Sequence, residues 1–370
     1  MTNDARPCGL LPRPRLVALV EAGVIVAERP IEPSQMQPAS LDLRLGKEAY
    51  RLRASFLPGR NADVRERLES LSPERISLVG EGAVLEKGIV YIAPLAERLA
   101  LPETLAGAAN PKSSTGRLDI FVRLIVDRGA AFDEAPAGYH GPLWVEISPR
   151  SFSVRVREGT RLNQLRLREA APRATLADER LRARHADAAL VDGALELRDG
   201  LVVHVGLAAP QAGLVGYRAI KNGSVIDVDR VGAYAAEDFW EPLGARGGRL
   251  ILDPDEFYIL ASRERLRIPA DLAAEMAAID PALGEFRVHY AGFFDPGFGW
   301  TASGAPGARA VLEVRGRDVP FLIEDGQPIG RLVFEPLAGA ADSLYGAIGG
   351  SNYQGQGLKL SKHFRNWGEA

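Results

Sequence analysis

The sequence predicts a mainly β protein built from two tandem domains, each a β-barrel or jelly roll with few short helices. Three features favour this fold class. Short segments of apolar or alternating residues recur along the chain, and Gly, Pro, Asp or Asn usually separate them. The 39 glycines and 25 prolines indicate frequent turns. A pattern from the first half of the chain also returns in the second half.

The returning pattern has a constant spacing. "YIAPLAERLALPETLA" at 91–106 is followed by "YILASRERLRIPADLA" at 258–273, which is 167 residues later. Glu146 and Glu313 keep the same spacing, and so do Gly159 and Gly326. Further upstream, "SLDLRLG" at 40–46 resembles "VIDVDRVG" at 225–232 with a shifted spacing. We interpret this as a duplication, the alternative being a strand-turn-strand habit without common origin.

The predicted elements divide the chain into four parts. "RPRLVALVEAG" near the start and "LADERLRARHAD" at 176–187 are typical of helices. The strands are predicted at "SPERISLVGEGAVLEKG", "GIVYIAPL", "IFVRLIV", "LWVEIS", "FSVRVRE" and "RLNQLRLRE". A charged, Ala-rich stretch separates the copies. We therefore expect a first domain at 1–170, a linker at 171–200, a second domain at 201–340 and a C-terminal tail at 341–370.

Charge and cysteine content exclude several classes of function. The formal net charge is −3, which argues against nucleic acid or an anionic membrane as a partner. Cys8 is the one cysteine, so a disulfide within the chain and a cysteine-based zinc site are excluded, and a cytoplasmic location is expected. The sequence shows neither a signal-peptide pattern nor an apolar run long enough to span a membrane.

Two stretches carry residues suited to chemistry. "PKSSTGR" at 111–117 places two cations and three hydroxyls within six residues, which fits a small phosphate ligand; the alternative is an ordinary polar loop. Gly116 would permit close backbone approach. In "LWVEIS", Glu146 stands among apolar strand residues, where acid–base work is favoured. The alternative is a strand glutamate that faces solvent.

Several motifs together resemble the dCTP deaminase family. "IEPSQMQPASLDLRLG" at 31–46 is similar to the family's N-terminal signature, and "PKSSTGRLDI" resembles its RSSxxR segment. "AFDEAPAGYHGPLWVEIS" at 131–148 resembles its DPGW-type hairpin and following strand, and "NYQGQG" at 352–357 resembles its tail. "AGFFDPGFG" and "IGRLVFEPL" are family-like stretches of the second copy. Three departures are Lys112 in place of an arginine, an enlarged hairpin, and Asn352 in place of a lysine.

The resemblance implies a dUTPase-like fold in the long, duplicated bacterial form, and hydrolysis of dCTP to dUTP and ammonia, which supplies dTTP synthesis. It implies Glu146 as general base, Ser113 as a holder of the attacking water, and Arg117 as a group that orients Glu146 or screens charge. The substrate-binding residues that it implies are Lys112 and Ser114 at phosphate, Asp133 at the sugar, Tyr139 at the base, Gln164 near the nucleotide, and Tyr353, Gln354 and Gln356 in a tail that closes over the triphosphate.

The remaining expectations concern metals, assembly and the second copy. Mg²⁺ is expected with the triphosphate, and zinc is not, because the H-x-E…P-C-x-x-C pattern is missing. The resemblance implies a homotrimer with six β-domains, the alternative being a dimer that imitates a trimer pair. The second copy has "AAIDPALGE" at 277–285 in place of the Ser-Ser-x-x-Arg donors, so we predict a degenerate site there. Asp133 as a plain turn residue and Gln164 as a solvated strand residue remain open alternatives.

Three other functions also remain open from the sequence. The first is a bifunctional dCTP deaminase and dUTP diphosphatase. The second is a dUTPase, although the turn "DEAPAGYHG" is a loosened version of the one that such enzymes use. The third belongs to another class, a nucleotide-binding regulator that has lost catalysis.

Overall fold

The computed structural model describes residues 8–72, 74–170, 173–208, 213–221, 223–278, 286–288, 292–300, 306–347 and 352–368. The chain forms two compact units. The first comprises residues up to Ala174 together with Ser224–Val231 and Pro336–Ser343, and the second comprises Thr175–Gly223, Gly232–Glu335 and the residues from Leu344 onward. No helix in these ranges is long and apolar enough to cross a membrane.

Strands dominate both units, as predicted. The α-helices are α1 (Arg13–Glu21), α2 (Val64–Leu71), α3 (Ser113–Gly116) and α4 (Asp178–Asp187). The strands are β1 (Ile25–Ala27), β2 (Leu41–Leu43), β3 (Glu48–Leu52), β4 (Glu74–Ser77), β5 (Ala83–Leu85), β6 (Val90–Ala100), β7 (Leu105–Pro111), β8 (Ile120–Val126), β9 (Glu134–Ala135), β10 (His140–Pro149), β11 (Val154–Val156), β12 (Asn163–Glu169), β13 (Leu201–His204), β14 (Leu214–Ala219), β15 (Ile226–Asp227), β16 (Trp240–Gly244), β17 (Arg249–Leu252), β18 (Phe257–Leu266), β19 (Leu272–Ala278), β20 (Phe286–Val288), β21 (Phe293–Phe294), β22 (Ala308–Gly316), β23 (Phe321–Glu324) and β24 (Pro328–Pro336).

The first unit contains a sheet of order β4-β3-β6-β10-β8, with β1 also on β6, and a second sheet of order β2-β12-β7-β9. Alternation along β10 sends Val145 and Ile147 to one face and Trp144 and Glu146 to the other. The second face packs under α2, whose Val64 and Leu68 join a small apolar cluster with Trp144. This helix begins at a capping box formed by Asp63 and Glu66, and our sequence analysis missed it.

The second unit repeats this arrangement, with sheets of order β16-β14-β18-β22-β20 and β13-β24-β19-β21. Its core is a large apolar cluster that includes Leu260, Leu312 and Phe334. Leu181 of α4 lies in the same cluster. Residues 175–200, predicted as part of a linker, therefore belong to the second unit, because α4 buries an apolar side chain in its core.

Backbone hydrogen bonds identify which residues of the second unit correspond to 41–46, and they differ from the residues that the sequence suggested. Gly46 N donates to Pro94 O, and Gly206 N donates to Ala261 O at the matching position. Strand β2 pairs with β12 in the same register as β13 pairs with β24. The counterpart of "LDLRLG" at 41–46 is thus "LVVHVG" at 201–206, and the match to 225–232 was wrong.

The segment 225–232 has a different role. Strand β15 within it runs parallel to β11 of the first unit, with Ile226 beside Val154. Arg157 donates to both carboxylate oxygens of Asp227 at 2.8 Å and to Asp229 at 2.9 Å. Residues 225–232 come after the first strand of the second copy in the sequence. They nevertheless complete a sheet of the first unit.

Candidate active site

Glu146 is the centre of the candidate site. In the sheet it lies between Ile92 of β6 and Arg123 of β8, and it is 1% exposed. Its Oε1 accepts hydrogen bonds from Arg123 Nε at 3.0 Å and Nη2 at 2.6 Å. Its Oε2 has no hydrogen-bond partner among the described residues. The carboxylate thus has one oxygen held by a cation and one buried oxygen left for another group.

Arg123 is itself fixed by three neighbours. Its guanidinium carbon lies 3.5 Å from the ring centroid of Phe132 and 4.6 Å from that of Phe121. Its Nη2 also donates to Ser55 Oγ at 2.9 Å. Such cation–π packing holds a planar guanidinium in one orientation. Arg123 is the site residue that our sequence analysis missed, and a lone cation inside the apolar strand "IFVRLIV" was the signal for it.

Asp133 shapes the turn that carries Phe132. Its φ of 62° lies in the left-handed region, which Asp tolerates better than most residues. Its Oδ1 accepts from Leu124 N at 2.8 Å, and its own N donates to Leu124 O at 2.9 Å. Asp133 therefore hydrogen-bonds the turn to β8 at the residue next to Arg123, which is the structural role of a turn aspartate. The sugar contact stays a prediction.

The Ser-Ser segment folds into the single turn α3, with Lys112 at its N-cap position. Ser114 and Arg117 are buried, and Arg117 N donates to Ser113 O at 3.1 Å. The Lys112 ammonium forms an ion pair with Asp42 of β2, whose side chain is 3% exposed. Asp42 Oδ1 has no partner among the described residues. A phosphate at this point would share Lys112 with a buried carboxylate.

The α3 residues do not meet Glu146 within one chain. Ile120 pairs with Pro149 and Arg123 pairs with Glu146. This puts Glu146 about 10 Å along the sheet from the start of β8, and Arg117 lies still earlier. The hydrogen bonds of the Glu146 carboxylate in the described structure all come from Arg123. In the single chain, Arg123 therefore takes the orienting position that we predicted for Arg117.

Tyr139 and Gln164 occupy positions away from Glu146. The Tyr139 hydroxyl donates to Pro142 O at 2.5 Å and accepts from Asp127 N at 3.3 Å, so it closes the hairpin before β10. Burial raises the pKa of Tyr139 well above its usual value, which keeps the hydroxyl a donor. Gln164 lies on β12 opposite Asp42, and its Oε1 accepts from Ser40 Oγ at 3.4 Å.

The predicted closing tail packs within the second unit. Gln354 Nε2 donates to the carbonyls of Gly297, Trp300 and Tyr345, and its Oε1 accepts from Gly299 N at 2.9 Å. Its amide is thus fully used. The other two tail residues are also buried: Gln356 Nε2 donates to Arg309 O at 3.0 Å, and the Tyr353 hydroxyl accepts from Lys362 N at 3.2 Å. Residues 348–351 and the donor-poor segment 279–285 lie outside the described residues.

Metal ligands do not cluster in the part of the chain that the structure describes. No three His, Cys, Asp or Glu side chains there lie close enough together to hold an ion. A Mg²⁺ that accompanies a nucleotide is bound largely by phosphate oxygens and water, so such a cluster is not required for it.

Comparison with known proteins gives the family. The family profile for the N-terminal domain of 2'-deoxycytidine 5'-triphosphate deaminase matches residues 7–171, and that for the C-terminal domain matches residues 177–364. The chain belongs to the dCTP deaminase family. The resemblance found in the sequence is confirmed, and the two profiles in tandem agree with the predicted two-domain β fold.

Solved and curated dCTP deaminases agree with this assignment. The crystal structure of 2'-deoxycytidine 5'-triphosphate deaminase from Agrobacterium tumefaciens is 49% identical with a TM-score of 0.86, over 90% of this chain and 100% of that one. A dCTP deaminase of Haloarcula marismortui is 30% identical over 40% of this chain and 75% of its own length. A dCTP deaminase, dUMP-forming, of Halobacterium salinarum is 34% identical over 35% of this chain and 61% of its own length. As a member of the dCTP deaminase family, the chain is an enzyme.

Proposed function

We propose that this chain hydrolyses dCTP to dUTP and ammonia, with Glu146 as the general base. The observation that supports the proposal is the Glu146 carboxylate, which is buried, ion-paired through one oxygen and unpartnered at the other among the described residues. A buried carboxylate oxygen without a partner is costly, and such groups are retained where function needs them.

The chemistry requires three proton transfers. Glu146 Oε2 takes a proton from the water as its oxygen bonds to C4 of the cytosine ring, and the C4=N3 electron pair moves to N3. The protonated carboxyl then gives that proton to the amino group, the C4–N bond to that group breaks as ammonia leaves, and the proton of the remaining hydroxyl moves to N3 to give the C4=O group of dUTP. Glu146 can serve both as general base toward water and as general acid toward the leaving amino group, because the same oxygen, Oε2, takes up and releases the proton. The dUTP formed is suited to supply dTTP synthesis, and a cytoplasmic location fits that role.

We further propose that a neighbouring chain brings α3 to Glu146. Ser113 would hold the attacking water and Arg117 would screen developing charge, yet within one chain they lie well away from Glu146. A cyclic homotrimer solves this by pairing α3 of one chain with β10 of the next. Light scattering should give the mass of three chains. A fully active monomer would contradict this arrangement.

The substrate contacts follow the same scheme. Lys112 and Ser114 would hold phosphate oxygens, with Lys112 released in part from Asp42. Asp133 and Gln164 would lie near the sugar and nucleotide, and the hairpin at Tyr139 would face the base. Mg²⁺ would bind through the triphosphate. Tyr353, Gln354 and Gln356 would cover it only after leaving the second-unit contacts described above, so tail closure would be ligand-driven.

A second candidate function is the formation of dUMP, because several similar relatives carry the name dCTP deaminase, dUMP-forming. Two parallel incubations of the purified chain, one with dCTP and one with dUTP, each with Mg²⁺ and followed by separation of products, distinguish the possibilities. We expect dUTP and ammonia in equal amounts. Accumulation of dUMP and pyrophosphate would establish the bifunctional reaction. Hydrolysis of dUTP without deamination of dCTP would indicate a dUTPase, and no product at all would indicate a nucleotide-binding regulator.

A further inference from the structure

The two oxygens of Glu146 differ in their surroundings. Both hydrogen bonds to the carboxylate arrive at Oε1, from Nε and Nη2 of Arg123. Oε2 is buried and has no partner among the described residues. If the ion pair served stability alone, a fork-to-fork arrangement that satisfies both oxygens would be more favourable. The pairing observed instead selects one oxygen and leaves the other available.

We propose that Arg123 is a positioning residue that fixes the Glu146 carboxylate so that Oε2 alone faces the reacting water. This inference rests on the proposed function, in which Glu146 is the base. Arg123 itself touches neither water nor nucleotide in this scheme. It acts by fixing the position of Oε1, because two donors from one rigid guanidinium hold that atom more firmly than a single hydrogen bond does.

The support for Arg123 is built into the fold. Phe132 lies 3.5 Å from the guanidinium carbon, and Phe121 lies 4.6 Å away. Ser55 accepts a hydrogen bond from Nη2 at 2.9 Å. Asp133 ties the turn that carries Phe132 to Leu124, the residue that follows Arg123. The turn, the arginine and the glutamate therefore form one connected path of contacts.

The decisive variants are Arg123→Ala and Arg123→Lys, measured for kcat and KM with dCTP. A misplacement of about 1 Å in a catalytic group can cost about 10²-fold in rate, so we expect kcat of Arg123→Ala to fall by about that factor while KM changes little. Arg123→Lys should recover part of the loss, because it restores the charge without the planar fork. Added guanidinium ion should restore part of the turnover of Arg123→Ala, and it should do nothing for Glu146→Gln.

A matched control is Arg51→Ala on β3 of the same sheet, which removes a surface ion pair with Glu86. We expect its kcat to equal that of the wild type. Phe132→Leu gives a second test, because it retains the Arg123 side chain but removes the ring packed against its guanidinium, and a several-fold loss of kcat in a folded enzyme is expected. A wild-type kcat in a folded Arg123→Ala or Arg123→Lys enzyme would overturn the inference. Near wild-type turnover in Glu146→Gln would instead overturn the proposed function, so the two failures can be told apart.

Discussion

The two units share a backbone framework and differ in the polar groups placed on it. Tyr91 OH accepts from Glu86 N at 3.0 Å, and Tyr258 OH accepts from Asp253 N at 2.8 Å at the matching position. Ile92 pairs with Glu146, just as Ile259 pairs with Glu313. The framework thus repeats at the level of single hydrogen bonds. Function in such a pair is decided by which side chains the framework carries.

Two polar residues beside the Ser-Ser segment of the first unit are missing from the second unit. Asp42 and Asn163 of the first unit lie at the positions of Val202 and Gly330 in the second. The pair that anchors β2 also differs between the units. Arg44 binds Glu97 in the first unit, and His204 binds Glu264 at the matching position of the second. The second unit thus has an apolar side chain and a glycine where the first has a carboxylate and an amide. It therefore has fewer groups that could bind a nucleotide.

The largest effect on stability is expected from the β2 anchor. Glu97 is fully buried and accepts from Arg44 N, Arg44 Nε and Gln35 Nε2 at 2.8 to 2.9 Å. Arg44→Ala leaves that charge without its cation, which costs about 3–5 kcal/mol for a buried pair. His204→Ala should cost less, because His204 is 14% exposed and part of the loss can be solvated. Denaturant unfolding of both variants gives the comparison.

Unit-specific probes make this test sharper. Trp144 is the one tryptophan of the first unit, while Trp240, Trp300 and Trp367 belong to the second. Hydrogen exchange resolved by peptide should show Arg44→Ala loosening the first unit and His204→Ala loosening the second. Equal costs for the two variants would mean that the anchors are equivalent despite their different chemistry.

A smaller effect is expected where β15 joins the first unit. The hydrogen bond from Arg157 lowers the pKa of Asp227 from its usual 3.8. Because the folded-state pKa lies below the unfolded one, the stabilisation is complete above about pH 4 and is lost as pH falls through the folded-state pKa. Asp227→Asn should therefore cost about 1.5–3 kcal/mol at neutral pH, the range for hydrogen bonds to charged groups. The free energy of unfolding of Asp227→Asn should also fall less steeply below about pH 4 than that of the wild type.

Glu241→Gln is the matched control for Asp227→Asn. It removes a surface partner of Arg218 in the second unit, where both side chains are a third or more exposed. Such pairs contribute about 0–1 kcal/mol. If Glu241→Gln proved as costly as Asp227→Asn, the anchoring role of β15 would be unsupported.

The smallest and most symmetrical effect concerns the repeated tyrosines. Burial raises the pKa of both Tyr91 and Tyr258, and each hydroxyl receives one backbone N–H. Tyr91→Phe and Tyr258→Phe should each cost about 1 kcal/mol, because each loses one neutral hydrogen bond. Chemical denaturation at pH 7 measures both. Costs that differ by more than about twofold would show that the two frameworks are less alike than their bonds indicate.

The sequence predicted a β fold for both copies and six strand-bearing segments of the first, because their apolar alternation is local and strong. It also pointed to Glu146, whose charge is out of place in an apolar strand. It did not give Arg123 as the partner, since pairing depends on the β8–β10 register, which is a long-range property. The counterpart of "SLDLRLG" was misassigned because "LVVHVG" keeps the backbone contacts while losing the polar residues that sequence comparison relies on.

The most direct test of the account is ammonia release from dCTP by Glu146→Gln and Glu313→Gln, measured beside the wild type under single-turnover conditions. Both glutamates are buried at the same register position of their units, so the two substitutions are matched in burial and strand position. We expect Glu146→Gln to lose about 10²–10⁴-fold, the usual contribution of a general base, and Glu313→Gln to stay near the wild-type rate. Equal losses in both variants, or a Glu146→Gln enzyme that deaminates at the wild-type rate, would contradict the account.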